Sequence, residues 1–135
     1  MVKIILVMHE PLGHAFEACA EHVLGAKPEL QVFDIAADDS TDEKVQALLA
    51  CMRSASSDGT LILCDIYGAT PFNIASKALR LALDEGLNGH LVTGTNLCMV
   101  LKALTAQQKN PEELSEQVRQ GAVRGIVSAD CALPP

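Results

Sequence analysis

Lys3-Ile4-Ile5-Leu6-Val7-Met8-His9-Glu10-Pro11-Leu12-Gly13-His14 is the stretch on which the fold turns, because a short apolar run stops abruptly at a histidine. Uninterrupted Ile, Leu and Val over so few residues predicts a strand buried on both faces, the kind found in parallel sheets covered by helices. His9 then stands at the strand's carboxyl end. In open α/β sheets that edge collects ligands and chemistry, since its loops rest on a rigid scaffold. His9 is therefore the first candidate functional residue.

Working outward, Pro11 suits the first turn of a helix, where its missing N–H would be unpaired anyway. Phe16, Cys19, Ala20, Val23 and Leu24 give that helix one apolar face, and Gly25 followed by Pro28 closes it. Leu30 to Ala36 predicts a second strand, partly alternating and so nearer a sheet edge. Ser40-Thr41-Asp42-Glu43 is a capping box, and Val45, Leu48, Leu49 and Met52 mark the buried stripe of a second helix. Gly59-Thr60-Leu61-Ile62-Leu63-Cys64-Asp65 is a third, continuously apolar strand that ends in a carboxylate. Asp65 is the second candidate.

Thr70, followed by Pro71, is expected to cap a third helix that runs to Gly86. His90 to Gly94 predicts a fourth strand, and Asn96 caps a helix carried by Leu97, Val100, Leu101 and Leu104. Asn110-Pro111 starts a fifth helix. Ile126 to Ala129 makes only a short last strand. Strand and helix alternate, which predicts an α/β fold with a doubly wound, mostly parallel sheet in the order 2-1-3-4. Strands one and three then flank the switch point, and His9 falls beside Asp65. The chain reads as a single domain spanning 1–135.

Composition narrows the function. Apolar residues make up 49% of the chain, yet it holds three Phe, one Tyr and no Trp, so its core is aliphatic and it lacks base-stacking platforms. A formal charge of −7 also argues against a nucleic-acid partner, which needs a cationic face. Cys19, Cys51, Cys64, Cys98 and Cys131 are scattered and form no Cys-x-x-Cys pair, so they read as small core residues in a reducing compartment. Five apolar residues between Lys3 and His9 are too few for a signal peptide or a membrane span. The protein is expected to be cytoplasmic and not membrane-embedded.

A histidine with a carboxylate on one ring nitrogen has its tautomer set, leaving the other lone pair free to attack. Helix N-termini expected near Pro11, Thr70 and Asn96 would favour phosphate-like anions. Together these point to phosphoryl transfer through phosphohistidine; the bland alternative is that polar strand ends merely satisfy loop hydrogen bonds. His14 and His22, near Glu17 and Glu21 on the first helix, read as solvated surface rather than metal ligands. Tyr67 reads as a wall of the crevice.

His9, Asp65 and Gly68-Ala69-Thr70-Pro71-Phe72-Asn73 together resemble the mannose-type enzyme IIA domains of the bacterial phosphoenolpyruvate-dependent sugar phosphotransferase system, whose pattern is Gly-x-Ser/Thr-Pro-x-Asn. Gly94-Thr95-Asn96-Leu97-Cys98-Met99 is similar to that family's Gly-x-Asn-x-Pro-Met. The resemblance implies a phosphotransferase component in which His9 accepts a phosphoryl group from the histidine-containing phosphocarrier protein and passes it to a IIB component or a regulatory acceptor. It implies Asp65 as the orienting partner of His9, and Gly68, Ala69, Thr70 and Asn96 around the phosphate. It needs no metal or other cofactor. It further implies a homodimer that exchanges the strand Ile126 to Ala129. Two departures stand out: the family's His-Gly is His9-Glu10-Pro11 here, and its Asn-x-Pro is Asn96-Leu97-Cys98.

Other classes fit less well. A receiver-type phosphorelay domain shares the strand order but needs an acidic pair after strand one and a Lys after strand five. A flavin or nucleotide module wants a Gly/Ser/Thr-rich loop where Glu10-Pro11-Leu12-Gly13-His14 stands. A regulator of the same fold, whose phosphorylation state a partner senses, remains open.

Overall fold

A computed structural model describes residues 1–106 and 110–130. Four strands, β1 (Lys3–His9), β2 (Gln31–Ile35), β3 (Thr60–Cys64) and β4 (Gly89–Val92), pair in parallel in the order β2-β1-β3-β4. Helices α1 (Leu12–Leu24), α2 (Thr41–Arg53), α3 (Thr70–Asp84), α4 (Leu97–Thr105) and α5 (Pro111–Arg124) cover both faces. Burial explains the strand sequences. Ile4 to Met8 are all buried, and His9 is the first exposed residue of β1. Because side chains alternate across a strand, Ile4, Leu6 and Met8 pack with α1, α4 and α5, while Ile5 and Val7 pack with α2 and α3. Each such aliphatic side chain contributes about 1.5–3 kcal/mol by leaving water.

β2 is an edge strand, as its partial alternation predicts, and only Ile35 in it is fully buried. The serine half of the Ser40 capping box forms, with Ser40 Oγ accepting from the Glu43 N–H at 3.3 Å. Three local expectations are corrected. Thr70 does not cap α3; it is the first helical residue, and Ala69 occupies the cap position with no side-chain bond. The chain's geometry there is set by the tight turn before the helix rather than by a hydroxyl. Asp65 lies one residue beyond the end of β3. The cysteines are not uniformly core residues: Cys64 is buried, Cys51 half-buried, and Cys19 and Cys98 exposed. Helical periodicity alone does not say how wide the covered stripe is. Cys131 lies outside the described residues.

Ile126 to Asp130 adopt no strand within this chain, and Ile126 and Val127 are 75% and 71% exposed. Among the described residues nothing pairs with the outer edge of β4. No helix among them is long and apolar enough to cross a membrane.

Candidate functional site

The register of β1 on β3 sets Val7 opposite Cys64, so the next residues of both chains leave the sheet together at the switch point. His9 and Asp65 meet there. The His9 backbone N–H donates to Asp65 Oδ2 at 2.9 Å, and His9 Nδ1 lies 2.7 Å from the same oxygen. A carboxylate only accepts, so Nδ1 carries the hydrogen and the Nε2 lone pair is left free. The Ile66 N–H donates to the other oxygen at 2.9 Å. The Asp65 side chain is 6% exposed, whereas that of His9 is 48% exposed. Burial pushes the Asp65 carboxyl up, but the hydrogen bonds from His9 and Ile66 and the nearby ring outweigh it, and the group titrates below the usual carboxylate range.

After Asp65 the chain turns through Gly68, whose φ of +81° suits a residue without Cβ, and enters α3 at Thr70-Pro71. A cleft of about 630 Å³ opens beside His9, bordered by Glu10, Ala36, Asp39, Thr70 and Pro71. Glu10 is exposed there, and its N–H donates to the Ile35 carbonyl at 3.1 Å. Tyr67, expected as a wall of this crevice, is instead 77% exposed and leans on Phe72 with ring centroids 4.8 Å apart.

The three helix N-termini expected to favour an anion are not equivalent. At α4 the Asn96 side chain accepts from the Met99 N–H at 2.9 Å, so that residue is already engaged in capping. At α1, Pro11 offers no side-chain cap, and a carboxylate from β2 replaces it: Asp34 accepts from the Gly13 N–H at 2.8 Å and from the His14 N–H at 3.1 Å. Of these three, only α3 has no side chain among the described residues, from its own cap residue or from elsewhere, accepting from its first-turn N–H groups. The N–H groups of Thr70 and Phe72 have no partner among the described residues, and Thr70 borders the cleft that contains His9. Leu97 and Cys98 at the start of α4 also have N–H groups without a partner among the described residues, but of these two N-termini only that of α3 borders the cleft that contains His9.

Asp34 was invisible as a site residue in the sequence, and His14 is not simply solvated. Its Nδ1 lies 2.7 Å from Asp34 Oδ2, a second histidine–carboxylate pair on the opposite face of the sheet. His14 borders a cleft of about 650 Å³ at the amino ends of the strands, with Lys27, Glu29 and Gln31. Size does not separate the two clefts. The open helix N-terminus beside His9 does.

A family model described as the fructose IIA component of the phosphotransferase system, EIIA-man, matches residues 3–119. The mannose/sorbose-specific IIA subunit from Enterococcus faecalis is 25% identical, with 99% of this chain and 97% of that one covered and a TM-score of 0.84. The EIIA component from Streptococcus agalactiae is 24% identical over 95% and 97% of the two chains, at a TM-score of 0.83. A sigma-54 interaction domain protein from Enterococcus faecalis, 15% identical over 93% of each chain, shares the fold at a TM-score of 0.74. With the strand order, the histidine at the switch point and the family match over most of its length, the chain belongs to the EIIA-man family of phosphotransferase-system IIA components, which act in phosphoryl transfer.

Proposed function

We propose that this protein carries a phosphoryl group on His9 Nε2, receiving it from the histidine-containing phosphocarrier protein and handing it to a IIB component or a regulatory acceptor. The observation that carries this reading is the 2.7 Å contact of His9 Nδ1 with the buried Asp65, which leaves Nε2 unengaged on a half-exposed ring that shares a cleft with the N-terminus of α3. In the forward step the Nε2 lone pair attacks phosphorus, the donor's N–P bond breaks, and its electron pair returns to the donor imidazole. The proton on Nδ1 stays in place. The Asp65 carboxylate holds the ring and stabilises the positive charge that develops on it. The N–H groups at the start of α3 and the Thr70 hydroxyl are assigned to the phosphoryl oxygens, with Gly68 and Ala69 shaping their approach. Asn96 caps α4 through its oxygen, and its side-chain NH2 is the part assigned to the phosphoryl group.

The direct test is incubation with phosphoenolpyruvate and the general phosphotransferase proteins. An acid-labile, base-stable adduct on the parent chain, lost in His9→Ala, is expected; stable labelling of that variant would refute the assignment.

The functional unit is proposed to be a homodimer in which Ile126 to Ala129 of one protomer adds to the β4 edge of its partner. An exposed Ile126-Val127 and an unpaired β4 edge among the described residues support this. Removing residues from Gly125 onward should give a monomer by light scattering, and a truncated chain that stays dimeric would overturn the strand's role.

A further inference from the structure

Asp34 and Ile35 are neighbours on β2, and between them they hold both ends of the turn that follows His9. At the near end, His9 pairs in register with Ile35, and the Ile35 carbonyl accepts from the Glu10 N–H. At the far end, Asp34 takes the N–H groups of Gly13 and His14 and the His14 ring. The Asp34 side chain is only 5% exposed, so these donors replace water that it has lost. Gly13 makes the approach possible: a Cβ there would lie 2.4 Å from Asp34 Oδ1 and 2.7 Å from Val32 Cγ1. Only Glu10 and Pro11 separate His9 from the first residue of α1.

We propose that Asp34 is a positioning residue for His9: by anchoring the first turn of α1 to β2 through Gly13 and His14, it holds the Glu10-Pro11 link and so the angle at which Nε2 meets an incoming phosphorus. The proposal rests on the phosphohistidine reading above. It requires no contact between Asp34 and His9, which lie on opposite faces of the sheet. Small displacements of an attacking atom are enough to matter, since about 1 Å of misplacement costs up to about 10²-fold in rate.

The test uses the full chain and phosphoramidate as a small phosphoryl donor, so that docking of a partner protein does not enter. Asp34→Ala should slow His9 phosphorylation about tenfold, with Asp34→Asn, which keeps one acceptor oxygen, falling between it and the parent. The nitrogen shifts of the His9 ring in the unphosphorylated protein should move in the same order. Val118→Ala, a cavity in α5, which packs on α4, β4 and β3 and among the described residues makes no hydrogen bond to the turn, should lower stability while leaving rate and ring signals unchanged. A folded Asp34→Ala with parental rate and parental His9 signals overturns the proposal, as does a Val118→Ala variant slowed equally. If Asp34→Ala does not fold, Gly13→Ala and Asp34→Asn are read by the same two criteria. If the parent itself takes no phosphoryl group on His9, the functional reading fails, and the ring signals alone decide whether Asp34 sets the histidine.

Discussion

His9 and His14 each place a backbone N–H and a ring Nδ1 against one carboxylate oxygen, at 2.9 and 2.7 Å for Asp65 and at 3.1 and 2.7 Å for Asp34. Both carboxylates are nearly buried and both rings are largely open. What differs is the surroundings. Asp65 collects its donors at the carboxyl end of the sheet and leaves the N-terminus of α3 unfilled beside the histidine. Asp34 fills the N-terminus of its own helix, so the position that could have bound an anion already holds one. A histidine–carboxylate pair is therefore a building unit found in two settings, and the proposed phosphoryl carrier, His9, is the one beside a helix whose first turn receives no side-chain acceptor among the described residues.

The largest expected effect separates the two histidines outright. His9→Ala should abolish phosphohistidine formation, whereas His14→Ala, which keeps the backbone N–H bonds of Gly13 and residue 14 to Asp34 and loses only the ring contact, should keep labelling within about twofold of the parent. A His14→Ala variant that cannot be labelled would erase the distinction.

Next come the carboxylates. Asp65→Asn leaves the shape but removes the negative charge and one of the two acceptor oxygens that His9 and Ile66 share, so the ring and its tautomer are held less firmly, and single-turnover phosphorylation should slow by about 10²- to 10⁴-fold. Asp34→Ala should show itself first in stability, because two first-turn N–H groups lose their acceptor. Urea unfolding should register a loss of about 1–3 kcal/mol with little change in slope. Equal stability in that variant would mean water replaces the carboxylate freely.

A smaller effect concerns acid. The folded Asp65 titrates below its unfolded value, so the unfolded chain binds more protons between the two. The stability this group contributes is present above about pH 4 and is lost as pH falls through the folded value. Urea midpoints measured down to pH 3 should fall less steeply for Asp65→Asn than for the parent; parallel curves would show that the His9 and Ile66 bonds do not favour the charged form.

The smallest effect is a local report on the same charge. Burial, and then the neighbouring Asp65, push the Cys64 thiol up to about 12. Native protein at pH 8 should thus alkylate at the exposed Cys19 and Cys98 but not at Cys64. Ready labelling of Cys64 would mean that β3 opens at the switch point.

Much of this molecule was legible in the chain itself. The apolar runs of β1 and β3 are read from composition because both faces of a central parallel strand are covered, and the alternation of strand and helix restricts the strand order enough to set His9 beside Asp65. Those signals are local and periodic. The anchoring of α1 by Asp34 has no such signal: its partners lie 20 and 21 residues away, and a carboxylate on an edge strand looks like any solvated side chain until the helix is laid against it. Which of the three helix N-termini receives a side-chain acceptor from elsewhere in the chain was likewise decided in three dimensions, since a cap supplied from another element leaves no mark near the helix it caps. Packing also sorted the cysteines, burying Cys64 within a strand covered on both faces while Cys19 and Cys98 lie outside the stripes their helices bury.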